Sequence, residues 1–106
     1  GDYQEQINSP GTSNRHYAPK TPVRLCTNDE TTNIVTKDSA AIVFQPLSVP
    51  TKRTVVMPST ASQYATQLYG VLRELDSIGA MQIVVETPPP SPEWLAVRDR
   101  LSRCSS

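Results

Sequence analysis

Histidine, tryptophan and phenylalanine occur once each in the 106 residues, cysteine twice and glycine four times. A single histidine with scattered carboxylates is no metal cluster, and Cys26 and Cys104, without Cys-x-x-Cys spacing, read as ordinary thiols rather than a zinc or disulfide framework. Net charge is also missing. Ten basic side chains balance ten acidic ones, so no overall field draws the chain to nucleic acid or to an anionic membrane. No apolar run approaches the roughly 20 residues that span a bilayer, and the polar start Asp2-Tyr3-Gln4-Glu5-Gln6 is unlike a signal peptide. A soluble, cytoplasmic protein is expected. There is no Gly-x-Gly-x-x-Gly and no phosphate loop ending in Lys-Ser/Thr, which removes the common nucleotide fingerprints.

What the chain has in quantity is proline, ten in all. Three of them, with Gly11 and the lone His16, fall in Ser9–Leu25, which shows no helical or strand period before Thr21. Such a stretch reads as a linker running into a domain. Residues 1–20 are therefore assigned to an extended linker and 21–106 to one small domain, near the lower size limit for an independent core. The chain begins Gly-Asp rather than with Met, which suggests a fragment carrying a vector-derived glycine and preceded by something else.

Within the domain, Pro22–Cys26 reads as a first strand and Asn28–Ser39 as a short helix or irregular crossover. Ala40–Phe44 is a continuous apolar run, as expected of a strand covered on both faces, and Arg53–Met57 forms a third strand stopped by Pro58. Ala61, Tyr64, Ala65, Leu68, Leu72 and Leu75 recur at three- and four-residue spacing and predict a helix over 61–78. Thr60 and Gln63 have capping-box spacing, Gly79 is the terminator, and Gly70 suggests close backbone packing. Gln82–Glu86 is a fourth strand. After Pro88-Pro89-Pro90, Ser91 and Pro92 open a last helix with Trp94, Val97 and Leu101 on its apolar side. The predicted fold class is α/β: a small Rossmann-like sandwich with a mainly parallel four-stranded sheet, in the order 3-2-1-4, and helices on its faces.

His16-Tyr17 is the strongest candidate for chemistry, since an imidazole and a phenol on a proline-stiffened strip can contact a nucleotide held elsewhere, with Arg15 suited to phosphate. Against this, a His-Tyr pair in a loop more often anchors the strip to the domain surface. Ser59 and Thr60, where a strand meets a helix start, form a weaker anion candidate, for which ordinary capping is the better reading. Ser59, His16 and Asp76 are formally a Ser/His/Asp set that no spacing brings together. Arg98, Arg100 and Arg103 read as a solvated face, paired with Glu93 and Asp99. Tyr69 and Trp94 read as core or interface aromatics.

Three ordered blocks resemble one family. Ser9-Pro10-Gly11 followed by His16-Tyr17-Ala18-Pro19 is similar to the interdomain linker of threonylcarbamoyl-AMP synthases. Leu68-Tyr69, Leu72-Arg73 and Leu75-Asp76 resemble that family's Leu-Tyr-x-x-Leu-Arg-x-Leu-Asp helix, and Ile83–Glu86 and Trp94–Leu101 follow in its order. The resemblance spans 9–104, with Thr12-Ser13-Asn14 departing from it. It implies the C-terminal accessory domain and gating linker of a nucleotidyltransferase that condenses L-threonine, bicarbonate and ATP into threonylcarbamoyl-AMP for tRNA threonylcarbamoyladenosine. By this resemblance Ser9, Gly11, Arg15, His16, Tyr17 and Pro19 belong to the gating linker. ATP with magnesium is expected on a preceding catalytic domain of the same chain, with no cofactor, no metal and no catalytic residue in the fragment, which alone should be inactive. A free-standing nucleotide-binding module using the Thr60 helix start, and an interaction domain pairing with a second copy through a sheet edge or the Trp94 helix, are the alternative readings.

Overall fold

The computed structural model describes residues 17–105. Strand β1 (Val23–Cys26) is followed by helix α1 (Asn28–Ile34), strands β2 (Ser39–Val43) and β3 (Arg53–Val56), helix α2 (Ala61–Asp76) and strand β4 (Gln82–Glu86). A single 3-10 turn, Pro92–Trp94, leads into α3 (Leu95–Cys104). The four strands form one sheet, all parallel, so the α/β class expected from the sequence is what the chain builds.

The order across the sheet is β1-β4-β2-β3, which corrects the predicted 3-2-1-4: β4 is internal and β1 lies at the edge. The reason is burial. Ile83, Val84 and Val85 are all inaccessible to solvent, and a strand apolar on both faces is covered best in the middle of a parallel sheet, beneath the elements packed on either face. In β1, by contrast, Arg24 is exposed between buried Val23 and Cys26.

The pleat sorts the sheet into two cores. Ala40, Ile42, Ile83 and Val85 face α2 and α3, where they meet Leu68, Leu72, Leu75 and Leu101. Ala41, Val43 and Val84 point the other way, against Val35 and the partly buried Ile34, Leu47 and Val49. The second face is thus closed by short α1 together with the proline-bearing loop 44–52. Phe44, Tyr64 and Trp94 form a mutually contacting aromatic set with centroids 5.3–5.6 Å apart beside the larger core.

Capping differs from the sequence reading in an instructive way. Thr60 precedes α2 but makes no side-chain cap bond; its hydroxyl donates to Gln63 Oε1 at 2.8 Å. The capping box is made instead at α1. There Thr27 Oγ1 accepts from the Glu30 amide at 3.3 Å and Glu30 Oε1 accepts from the Thr27 amide at 2.9 Å. The Glu30 carboxylate and the Gln63 amide oxygen are both acceptors and either can take a backbone N–H or a hydroxyl, so the residue types alone do not choose between the two patterns. Donation from the Thr27 backbone amide, and then from its side chain, holds the Glu30 carboxyl below its ordinary pKa. Gly79, at φ +76°, supplies the left-handed residue beyond α2. Gly70 is exposed and a Cβ there would meet nothing within 4 Å, so close backbone packing does not account for it.

Two substitutions follow from this packing. Gly70→Ala should raise unfolding stability by about 0.5–1 kcal/mol through helix propensity. Tyr64 is fully buried and its hydroxyl has no hydrogen-bond partner among the described residues, so Tyr64→Phe should unfold at the same or higher denaturant concentration, the orphan hydroxyl otherwise costing about 1–3 kcal/mol. A clear loss of stability in Tyr64→Phe would reveal a partner for that oxygen.

Candidate functional site at the root of the linker

Helix α2 carries a second stripe beside its buried one. Tyr69, Arg73 and Asp76 stand at i, i+4 and i+7 and so share a face. Asp76 is the last residue of the helix, a position where the backbone dipole disfavours a carboxylate by about 0.3–1 kcal/mol. The charge is met from outside the helix. Asp76 Oδ2 accepts from the Tyr17 hydroxyl at 2.7 Å and from the Lys20 amide at 3.2 Å. Oδ1 accepts from the Thr21 amide at 2.9 Å and from the Thr21 hydroxyl at 2.7 Å. Both oxygens are therefore occupied by the strip that leads into β1.

The aromatic rings complete the clasp. Tyr17 packs edge-on against Tyr69, with centroids 5.4 Å apart and planes at 86°. Arg73 donates to the Tyr69 hydroxyl at 2.9 Å, with its guanidinium carbon 5.6 Å from the ring centroid. From α3, the Cys104 thiol reaches the Tyr17 carbonyl at 3.7 Å. Burial works against the Asp76 charge, but the bonds from Tyr17, Thr21 and Lys20 outweigh it and hold the carboxyl well below the usual carboxylate range. Burial, then the bond to Asp76 and its charge, pushes the Tyr17 phenol up to about 12. It stays a donor at any physiological pH.

Of the residues singled out from the sequence, Tyr17 is thus fastened to the body of the domain and Pro19 lies partly buried beside it. Ser9, Gly11, Arg15 and His16 lie outside the described residues. Ser59 and Thr60 sit at the far end of α2 from Asp76, roughly 24 Å away at 1.5 Å per residue. Ser59 is exposed and the Thr60 hydroxyl is spent on Gln63, so the Ser59-His16-Asp76 set draws no support from this layout. Trp94 is core, 3% exposed. Arg103 pairs with Asp99 at 3.2 Å on the surface of α3, while Arg100 lines a groove of about 400 Å³ between α2 and α3 whose floor includes Ala65, Leu68 and Val97. No group of three or more His, Cys, Asp or Glu among the described residues could hold a metal ion, and none of their helices is long and apolar enough to cross a membrane.

The clasp carries a pH signature. A carboxyl with a depressed folded-state pKa stabilises fully above its unfolded value, near 3.9, and progressively less as pH falls toward the folded value. Asp76→Ala should cost about 1–3 kcal/mol at pH 7. The gap between parent and variant in denaturant titrations should hold from pH 8 to pH 5 and shrink below about pH 4. On the alkaline side the raised phenol works in the opposite sense: its contribution is present below about pH 10 and fades above it. A gap independent of pH would show that the loss comes from packing rather than from the charge.

Comparison with known proteins adds one match. The family described as threonylcarbamoyl-AMP synthase, C-terminal domain, matches residues 2–106. No curated protein and no solved structure matches the chain. With a match over nearly its whole length, a parallel α/β body and the Leu68–Asp76 helix block in place, the chain belongs to the threonylcarbamoyl-AMP synthase C-terminal domain family.

Proposed function

We propose that this domain serves as the regulatory partner of a threonylcarbamoyl-AMP synthase catalytic domain in the same chain, with the linker before Thr21 acting as the gate over that domain's active site. The parent enzyme would be a cytoplasmic, ATP-binding nucleotidyltransferase joining L-threonine, bicarbonate and ATP into threonylcarbamoyl-AMP, the precursor of a tRNA modification. By the family resemblance, ATP and magnesium are assigned to the catalytic domain and the fragment alone to an inactive role. Family membership supports this reading, and so does the clasp. The strip from Tyr17 to Thr21 is bound to the helix end through both Asp76 oxygens, so an arm leaving it has a fixed point of departure. Ser9, Gly11, Arg15 and His16 within that arm, with Tyr17 and Pro19 at its root, are the proposed gating residues, His16 and Arg15 offering an imidazole and a cation to a bound nucleotide or its phosphates. Closure of such an arm excludes water and orients the reactants.

In the full-length synthase, His16→Ala and Tyr17→Ala should lower the rate of threonylcarbamoyl-AMP formation by about tenfold or more, in line with the cost of misplacing a positioning element. Their unfolding transitions should remain cooperative. Unchanged kinetics in both would remove the gating role. Calorimetric titration of the isolated fragment with ATP should show no micromolar binding; saturable binding abolished by Thr60→Ala would favour a free-standing nucleotide module.

A further inference from the structure

We propose that Asp76 is the positioning residue of the linker: its carboxylate, gripping Tyr17, Lys20 and Thr21 together, sets the point and direction at which the arm leaves the domain, and so couples the domain body to the rate of the synthase. The inference rests on the reading of the arm as a gate and names the residue through which the body acts on it.

Four observations carry it. The first is saturation: each oxygen of one carboxylate accepts two donors, at 2.7 and 3.2 Å on Oδ2 and at 2.9 and 2.7 Å on Oδ1. The donors come from three residues within 17–21 and from nowhere else on the described surface. The second is placement. An aspartate at the last position of α2 opposes the helix dipole and has modest helix propensity, so the helix itself gains nothing from it. The third is support. Tyr69, about two turns back on the same stripe, holds the Tyr17 ring edge-on, and Arg73 in turn holds the Tyr69 hydroxyl at 2.9 Å. The fourth is a division of labour along the chain. From Pro22 onward the backbone is held by the sheet, its carbonyl accepting from the Ile83 amide at 2.8 Å. Before Pro22 no ladder bonds hold the strip, and the Asp76 bonds take their place.

A carboxylate suits this task better than an amide. It accepts on both oxygens, whereas Asn would turn one of them into a donor facing a backbone amide, Lys20 or Thr21 according to the orientation of the side chain, that can itself only donate. Asp76→Asn therefore breaks a backbone bond of the clasp and removes the charge that strengthens the others, without emptying the site.

The test uses the full-length synthase and reads the clasp separately from the chemistry. Lys20 is exposed, and the peptide bond after it lies inside the gripped strip, so trypsin reports opening there directly. Asp76→Asn should speed cleavage after Lys20 by about tenfold or more, as expected when charge-assisted hydrogen bonds are lost from a local opening equilibrium. It should also lower kcat for threonylcarbamoyl-AMP formation toward that of His16→Ala. The double variant Asp76→Asn/His16→Ala should be no slower than His16→Ala alone, because both act through one arm. Faster cleavage with unaltered adenylate formation, beside a slowed His16→Ala, would overturn the positioning role and leave the gate standing. Losses that multiply in the double variant would overturn it as well. A fully active His16→Ala would overturn the gate and this inference together. Should Asp76→Asn fail to fold, Thr21→Val makes the same test, since it removes one bond to the carboxylate at a residue outside the proposed gate.

Discussion

The whole arrangement depends on two central strands that must be dry on both sides. Strands β2 and β4 present Ala40, Ala41, Ile42, Val43 and Ile83, Val84, Val85 with almost no solvent contact. A parallel sheet of this kind is stable only when each face is covered. In so short a chain, α2 and α3 cover one face, while α1 and a nine-residue stretch of irregular loop, 44–52, must do for the other. Everything at the periphery follows from where those covers end. Helix α2 runs the length of the larger core, and its C-terminal end comes out beside the strip that leads into β1. There Asp76 meets that strip.

Much of this was legible in the sequence because it follows from periodicity. Ile83-Val84-Val85 between Gln82 and Glu86 reads as a strand, and the spacing of Tyr64, Leu68, Leu72 and Leu75 reads as a buried helix face. The strand order was misread although its signal was present. Val23-Arg24-Leu25-Cys26 alternates as an edge strand does, while Ile83-Val84-Val85 does not alternate at all. Weighing the two runs against each other would have put β4 inside. The capping at Thr60 was misread for a different reason. The same residue spacing can be bonded in two ways, since an acceptor three residues on can take the cap residue's amide, as Glu30 does, or its hydroxyl, as Gln63 does.

The clasp was less legible because it joins residues 55–59 positions apart, and no local pattern encodes such a pairing. A partial signal existed. Tyr69, Arg73 and Asp76 fall on one stripe that is neither the apolar face nor a plain solvated one, and an aspartate closing a helix runs against the local electrostatic preference. Residues that break a local rule tend to serve something outside their own element. The exposed Arg103–Asp99 pair shows the contrast: its spacing was readable, but a surface pair of this kind contributes little.

The single indole of the protein has a consequence of its own. Trp94 is shut away from water, edge-on to both Phe44 and Tyr64, at the point where the 3-10 turn hands over to α3. Its light emission is therefore a private signal for the seating of the last helix on the sheet, uncontaminated by a second tryptophan anywhere in the chain. Excited selectively at long wavelength, it would report a detached α3 as a shift of the emission to the red. Tyr17, dark at that wavelength, would leave the state of the opposite end of the domain to be followed by other means.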